Sequence, residues 1–203
     1  MMEPPAWLPI ALAGLAAALF ALGNLRVRRL IGRSPDVFST APGTALAFLG
    51  RAHRVAFAAT GLGVVLAWVW QSPAPAWWAA AEWLGNLAML LGCGLMAAAQ
   101  RAMGASWRIG IDRSPTDLVM AGPFSLSRNP TFVGMFLLLW GALLAAPGML
   151  TAAGLAAALV SFPTQVRMEE EHLIARHGDA FRAYAARVPR WLGWPRATSS
   201  AVS

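Results

Sequence analysis

The stretch Gly122-Pro123-Phe124-Ser125-Leu126-Ser127-Arg128-Asn129-Pro130-Thr131-Phe132-Val133-Gly134 sets an Arg-Asn-Pro turn directly before an apolar segment. Three carboxylates, Glu169, Glu170 and Glu171, follow the next apolar segment. Pro130 restricts Asn129 to an extended backbone and suits the first turn of a helix. Asn129 is therefore expected to cap that helix, its side-chain oxygen on an orphan amide. The carboxylates can bind a cationic or hydroxyl-rich ligand, or simply form a solvated acidic turn opposing Arg167 and Arg176. The turn by itself also reads as a plain helix start beside an interfacial arginine. Taken together, a loop, an apolar hairpin and a carboxylate cluster build a polar pocket at a membrane surface, which points to an enzyme. His172 and His177 flank the glutamates as possible general bases or plain surface histidines. No Ser-His-Asp or Cys-His arrangement exists in the polar parts, no residue is assigned as catalytic, and Cys93 alone cannot build a disulfide framework or a thiol metal site.

The elements that must position these residues are membrane helices. Of 203 residues 58% are hydrophobic and only 12% charged, with a mean hydropathy of +0.55, which excludes an ordinary soluble domain. Five apolar segments stand out: Trp7–Gly23, Val55–Trp70, Trp83–Ala99, Phe132–Ala146 and Met149–Phe162. Crossing a core of ~30 Å takes about 20 helical residues. The last two segments fall short and are separated only by Pro147-Gly148, so they read as a short helical hairpin. The first lacks a basic leader and is taken as a retained span. Residues 45–54 carry Arg51, His53 and Arg54, and are either a short interfacial helix or part of the second span. The fold expected is an all-α polytopic membrane bundle of about five transmembrane helices, with a polar loop over 102–131 and a tail helix over Met168–Arg187 broken at Gly178. Residues 198–203 read as a frayed end. The chain reads as a single membrane domain, with a three-span part at 1–101 and a catalytic part at 102–197.

All 16 basic side chains are arginines, giving a net charge of +7. They lie between spans one and two, between spans three and four, and after span five. The two remaining connections, 71–81 and Pro147-Gly148, contain none. Basic loops stay inside, so the N-terminus is expected outside and the C-terminus and pocket on the cytoplasmic side, with Trp70, Trp77 and Trp78 as an outer aromatic belt. Arginines scattered in this way do not make a nucleic-acid stripe.

The pattern L-V-M-A-G-P-F-S-L-S-R-N-P-T-F-V-G, a short hairpin, then E-E-x-x-L-x-x-x-x-G-x-x-F-x-x-Y-x-x-x-V-P-R resembles the isoprenylcysteine carboxyl methyltransferase and phospholipid N-methyltransferase group of integral membrane enzymes. The resemblance runs from Trp107 to Trp194. It implies a loop and tail enclosing S-adenosylmethionine, with Thr116, Asp117, Leu118, Val119, Phe124, Arg128, Asn129, Pro130, Thr131, Phe132, Glu169 and Glu170 on the cofactor side. It places Gln165, Arg167, Tyr184 and Arg190 on the substrate side. Phe124 stands where that group usually has tyrosine, and Asn129 replaces the histidine of the carboxyl methyltransferases. Gln165 falls where they carry a carboxylate-binding arginine, so without a bidentate partner a prenylcysteine carboxylate fits poorly. The activity implied is methyl transfer from S-adenosylmethionine to a lipophilic or small acceptor at the cytoplasmic face. The competing readings are an NADPH-dependent reductase of the steroid 5α-reductase type, with Arg108, Arg113 and Arg128 for a 2′-phosphate, and a non-catalytic scaffold.

Overall fold

The computed structural model describes residues 3–36, 38, 43–70, 76–111 and 117–194. Six α-helices carry the chain: α1 (Leu8–Ile31), α2 (Ala45–Trp70), α3 (Ala79–Met103), α4 (Pro130–Ala145), α5 (Met149–His177) and α6 (Asp179–Arg187). Short 3-10 turns sit at Ala76–Trp78, Gly104–Ser106 and Gly122–Ser125. Among the described residues the only strand-like pairing is an isolated bridge between Asp36 and Ile109. The all-α bundle expected from the sequence is what forms. Four helices, α1, α2, α3 and α5, are long and apolar enough to cross a membrane, and α4 is a shorter apolar helix. Leu15, Leu22, Phe48, Leu62, Leu87 and Leu90 lie exposed along them. Apolar faces turned outward suit lipid.

Close helix contact is built on glycine. A Cβ at Gly141 of α4 would stand 2.5 Å from the Gly85 carbonyl oxygen, and one at Gly92 of α3 would stand 2.6 Å from that of Gly134. Two glycines seven residues apart on α3 thus face two on antiparallel α4, so the backbones approach where larger residues would hold them apart. Leu138, Ala142, Met89 and Cys93 fill the core beside this seam, and Phe132, Leu139, Leu155, Phe162 and Val166 form a second core between α4 and α5.

One open reading is settled and one expectation is corrected. Residues 45–54 are part of the second span, because α2 is one continuous helix from Ala45 to Trp70. The tail helix does not begin at Met168: α5 runs unbroken for 29 residues, with Pro163 inside it. At 1.5 Å per residue that is about 44 Å, well beyond the ~30 Å of a bilayer core. Residues 149–162 are its apolar part, and 165–177 extends past them with the glutamates. Gly178 takes φ 54°, a conformation that a side chain disfavours, and there the chain turns into α6.

Candidate functional site

Glu170 is the hub of the polar surface site. It is 7% exposed, and four groups from two other segments converge on its carboxylate. Arg190 donates from Nε at 3.0 Å and from its terminal nitrogen at 2.7 Å, both to Oε2. Arg128 Nε lies 3.2 Å from Oε1, and Asn129 Nδ2 donates to that same oxygen at 3.4 Å. Backbone bonds lock the same segments: Arg128 N–H to the Pro189 carbonyl at 2.9 Å and Gly193 N–H to the Leu126 carbonyl at 3.2 Å. Tyr184 donates its hydroxyl to the Phe124 carbonyl at 2.7 Å. The Arg-Asn-Pro turn, the acidic end of α5 and the Val188-Pro189-Arg190 tail are therefore one knot, tied across some sixty residues of sequence.

This changes the roles expected for three residues. Asn129 does stand at the N-cap of α4, but its side chain makes no cap bond. Its amide instead donates to Glu170 and to the Arg190 carbonyl at 3.1 Å, because the buried carboxylate needs donors more than the helix end needs an acceptor. The acidic run is not a solvated turn: Glu170 pairs with Arg128 and Arg190, while Arg167 is exposed and Glu171 faces outward. Arg190 lies against Glu170, and the bond to that carboxylate raises its pKa.

Glu169 behaves differently from its neighbour. It is half-buried, accepts a bond from Gln165 Nε2 at 2.7 Å, and forms no ion pair among the described residues. Burial pushes its carboxyl up to about 7; the Gln165 bond lowers it and the Glu170 charge raises it further. Gln165 Oε1 stays buried without a partner. A carboxylate at the projecting end of α5, unneutralised and flanked by a buried amide, is complementary to a cation.

The remaining predicted residues fall around this pair. Pro130, Thr131 and Phe132 are buried in the first turn of α4, and Phe124 is buried beneath the loop. Leu118 packs on Phe181, Tyr184 and Val188, which links the 117–120 strip to α6, and Val119 beside it is half-buried. Burial pushes the Tyr184 phenol up to about 12, with Arg128 opposing and Glu170 adding to the shift. Asp117 is exposed; its backbone N–H bonds Ser106 Oγ rather than joining the knot. Arg167 stands apart from the knot, exposed on α5. Thr116 and Arg113 lie outside the described residues. Arg108 donates to the carbonyls of Ala105 and Trp107, and Arg128 is engaged with Glu170, so these two do not gather into one anion site. Among the described residues no cluster of His, Cys, Asp and Glu is placed to hold a metal ion.

Sequence reasoning passed over Ser127. It is 1% exposed, takes the Asn129 N–H on its Oγ at 3.0 Å and donates to the Arg190 carbonyl at 3.4 Å. A serine two residues before an asparagine is a weak sign of such a side-chain turn. Below the knot, a cavity of about 490 Å³ opens among α1, α2, α3 and α4, lined by Phe20, Phe57, Met89, Met96 and Met135.

No curated protein matches the chain. The sequence model of the phospholipid methyltransferase family matches residues 80–180, from the start of α3 through the knot's glutamates to the start of α6. The matched region contains the Arg-Asn-Pro turn, the short hairpin and both glutamates, in the order that the surface site uses them. With its membrane-length helices, the chain is similar over residues 80–180 to the phospholipid methyltransferase family, which supports a membrane methyltransferase in general.

Proposed function

We propose that the protein transfers a methyl group from S-adenosylmethionine to a lipophilic or small acceptor at the cytoplasmic face of the membrane. The observation that carries this reading is Glu169, a half-buried carboxylate held by Gln165 with no guanidinium among the described residues to neutralise it. The ligand such a group suits is a cation, and S-adenosylmethionine carries an ammonium and a sulfonium. When bound it would supply an activated methyl group. The chain's own task is alignment, bringing nucleophile and methyl carbon within ~3–3.5 Å.

The residues divide that task. Glu170, clamped by Arg128 and Arg190, fixes the loop against the tail, so it organises the cofactor pocket instead of lending charge to it. Asn129 and Ser127 fix the turn that leads into Pro130, Thr131 and Phe132. Asp117, Leu118, Val119 and Phe124 form the loop side, and Tyr184 pins that loop to α6. Gln165 orients Glu169 and stands on the acceptor side. The cavity beneath gives a route from the bilayer for an apolar acceptor. Arginine placement supports an outside N-terminus and a cytoplasmic pocket.

Equilibrium binding of S-adenosylmethionine and of NADPH to the purified protein tests the reading. Micromolar S-adenosylmethionine affinity that weakens in Glu169→Gln is the expected result. Preferential NADPH binding would move the protein to the reductases, and binding of neither would leave a scaffold.

A further inference from the structure

His53 sits on α2 at the polar end of the membrane cavity and lines it. Three rings close on it edge-on: Phe162 at 4.8 Å between centroids, Phe38 at 5.9 Å and Phe132 at 6.3 Å. Its Nε2 is buried with no partner among the described residues. With the proton of the neutral ring on Nδ1, Nε2 is a bare acceptor. Phe132 is one helical turn beyond Asn129, and Ser161, Gln165 and Glu169 recur every four residues along α5. These three polar residues share one face of α5, and His53 packs beside its lower end against Phe162.

We propose that His53 Nε2 anchors the methyl acceptor, and that the acceptor is a lipophilic phenol. The inference rests on the methyltransferase reading and names the substrate class for it. Nε2 requires a hydrogen-bond donor, which a carboxylate is not. The mostly apolar wall disfavours a charged head, and the two charged side chains that line the cavity, Asp36 and Arg54, pair with each other at 3.1 Å. Aromatic and methionine side chains accommodate a ring, methionine being the most adaptable packing residue. About 490 Å³ lies within the ~300–1,000 Å³ of small-molecule sites. In the transfer the phenolic oxygen gains the methyl carbon, the carbon–sulfur bond breaks onto sulfur to leave a neutral thioether, and the phenolic proton passes to water. The ether so formed no longer donates to His53, which favours its release. His53 is a positioning residue here.

The test uses protein reconstituted in lipid nanodiscs, with empty nanodiscs as the blank. Equilibrium dialysis compares para-nonylphenol with its methyl ether, para-nonylanisole, and with para-nonylbenzoate. The phenol is expected to bind roughly tenfold tighter than the ether, the worth of one hydrogen bond to a buried acceptor, and the benzoate no tighter than the ether. His53→Phe should erase the phenol's advantage while S-adenosylmethionine affinity is kept, and His53→Gln, whose amide oxygen accepts, should restore part of it. Equal binding of phenol and ether by the unaltered protein overturns the inference even if His53→Phe fails to fold. Tighter binding of the benzoate, or a phenol preference that survives in a folded His53→Phe, also overturns it. If S-adenosylmethionine binds and no phenol preference exists, this inference alone falls. If the phenol binds but S-adenosylmethionine does not, the acceptor role falls with the methyltransferase reading.

Discussion

Replacing Glu170 by glutamine keeps the shape of the hub and removes its charge. The consequences differ for its two arginines. The Arg128 side chain is 14% exposed and the Glu170 side chain 9%, so their pair is buried, whereas Arg190 is 39% exposed and solvent screens it. Removing one partner of a buried pair costs about 3–5 kcal/mol, while exposed pairs contribute about 0.2–1 kcal/mol. Glu170→Gln should therefore cost about 3–4 kcal/mol, most of it through Arg128. Arg190→Met should cost about 1 kcal/mol, since Arg128 and Asn129 still satisfy the carboxylate. Hydrogen exchange in detergent reads this locally. The amides of Arg128 and Gly193, which bond to the Pro189 and Leu126 carbonyls, should lose protection together in Glu170→Gln, by about two orders of magnitude. They should lose much less in Arg190→Met. Equal losses in the two variants, or protection unchanged in Glu170→Gln, would refute the assignment of Glu170 as the tie between loop and tail.

Other perturbations have equally definite outcomes. Gly141→Ala drives a Cβ onto the Gly85 carbonyl, and thermal melting should show a loss of about 1–3 kcal/mol, against little change for Gly14→Ala, where a Cβ meets nothing within 4 Å. Tyr184→Phe leaves the Phe124 carbonyl unpaired and should cost about 1–3 kcal/mol by the same measurement. S-adenosylmethionine affinity should rise as pH rises through about 7, where Glu169 becomes the anion that a cation needs, and should stay flat in Glu169→Gln. Without ligand the sign reverses: the folded carboxyl holds its proton to about 7 and the ordinary value is 4.5, so stability relative to Glu169→Gln falls as pH climbs between those values.

Much of this was legible in the sequence because it follows from local pattern. Apolar runs gave the spanning helices, Pro147-Gly148 the hairpin, and Pro130 the start of α4. Helix ends were less legible, since α5 continues through Pro163 into polar residues and a hydropathy boundary is not a hydrogen-bond boundary. The residues of the surface site were largely legible, but not their partners. Nothing local indicates that Glu170 faces Arg190 while Glu169 faces Gln165; one helical step between adjacent glutamates, about 100°, decides it. Asn129 looked like a cap because it occupies a cap position, and the tertiary demand of a buried carboxylate redirected its amide. His53 was masked by its arginine neighbours, which made the start of α2 read as a charged helix end.

The central claim is methyl transfer, and its most direct measurement follows a labelled methyl group. Membranes carrying the protein would be incubated with methyl-tritiated S-adenosylmethionine and extracted with organic solvent. The account predicts label accumulating in the organic phase with time, and little of it with a Glu169→Ala variant that melts like the unaltered protein. Label no higher than in membranes lacking the protein, with lipophilic phenols supplied, would contradict it.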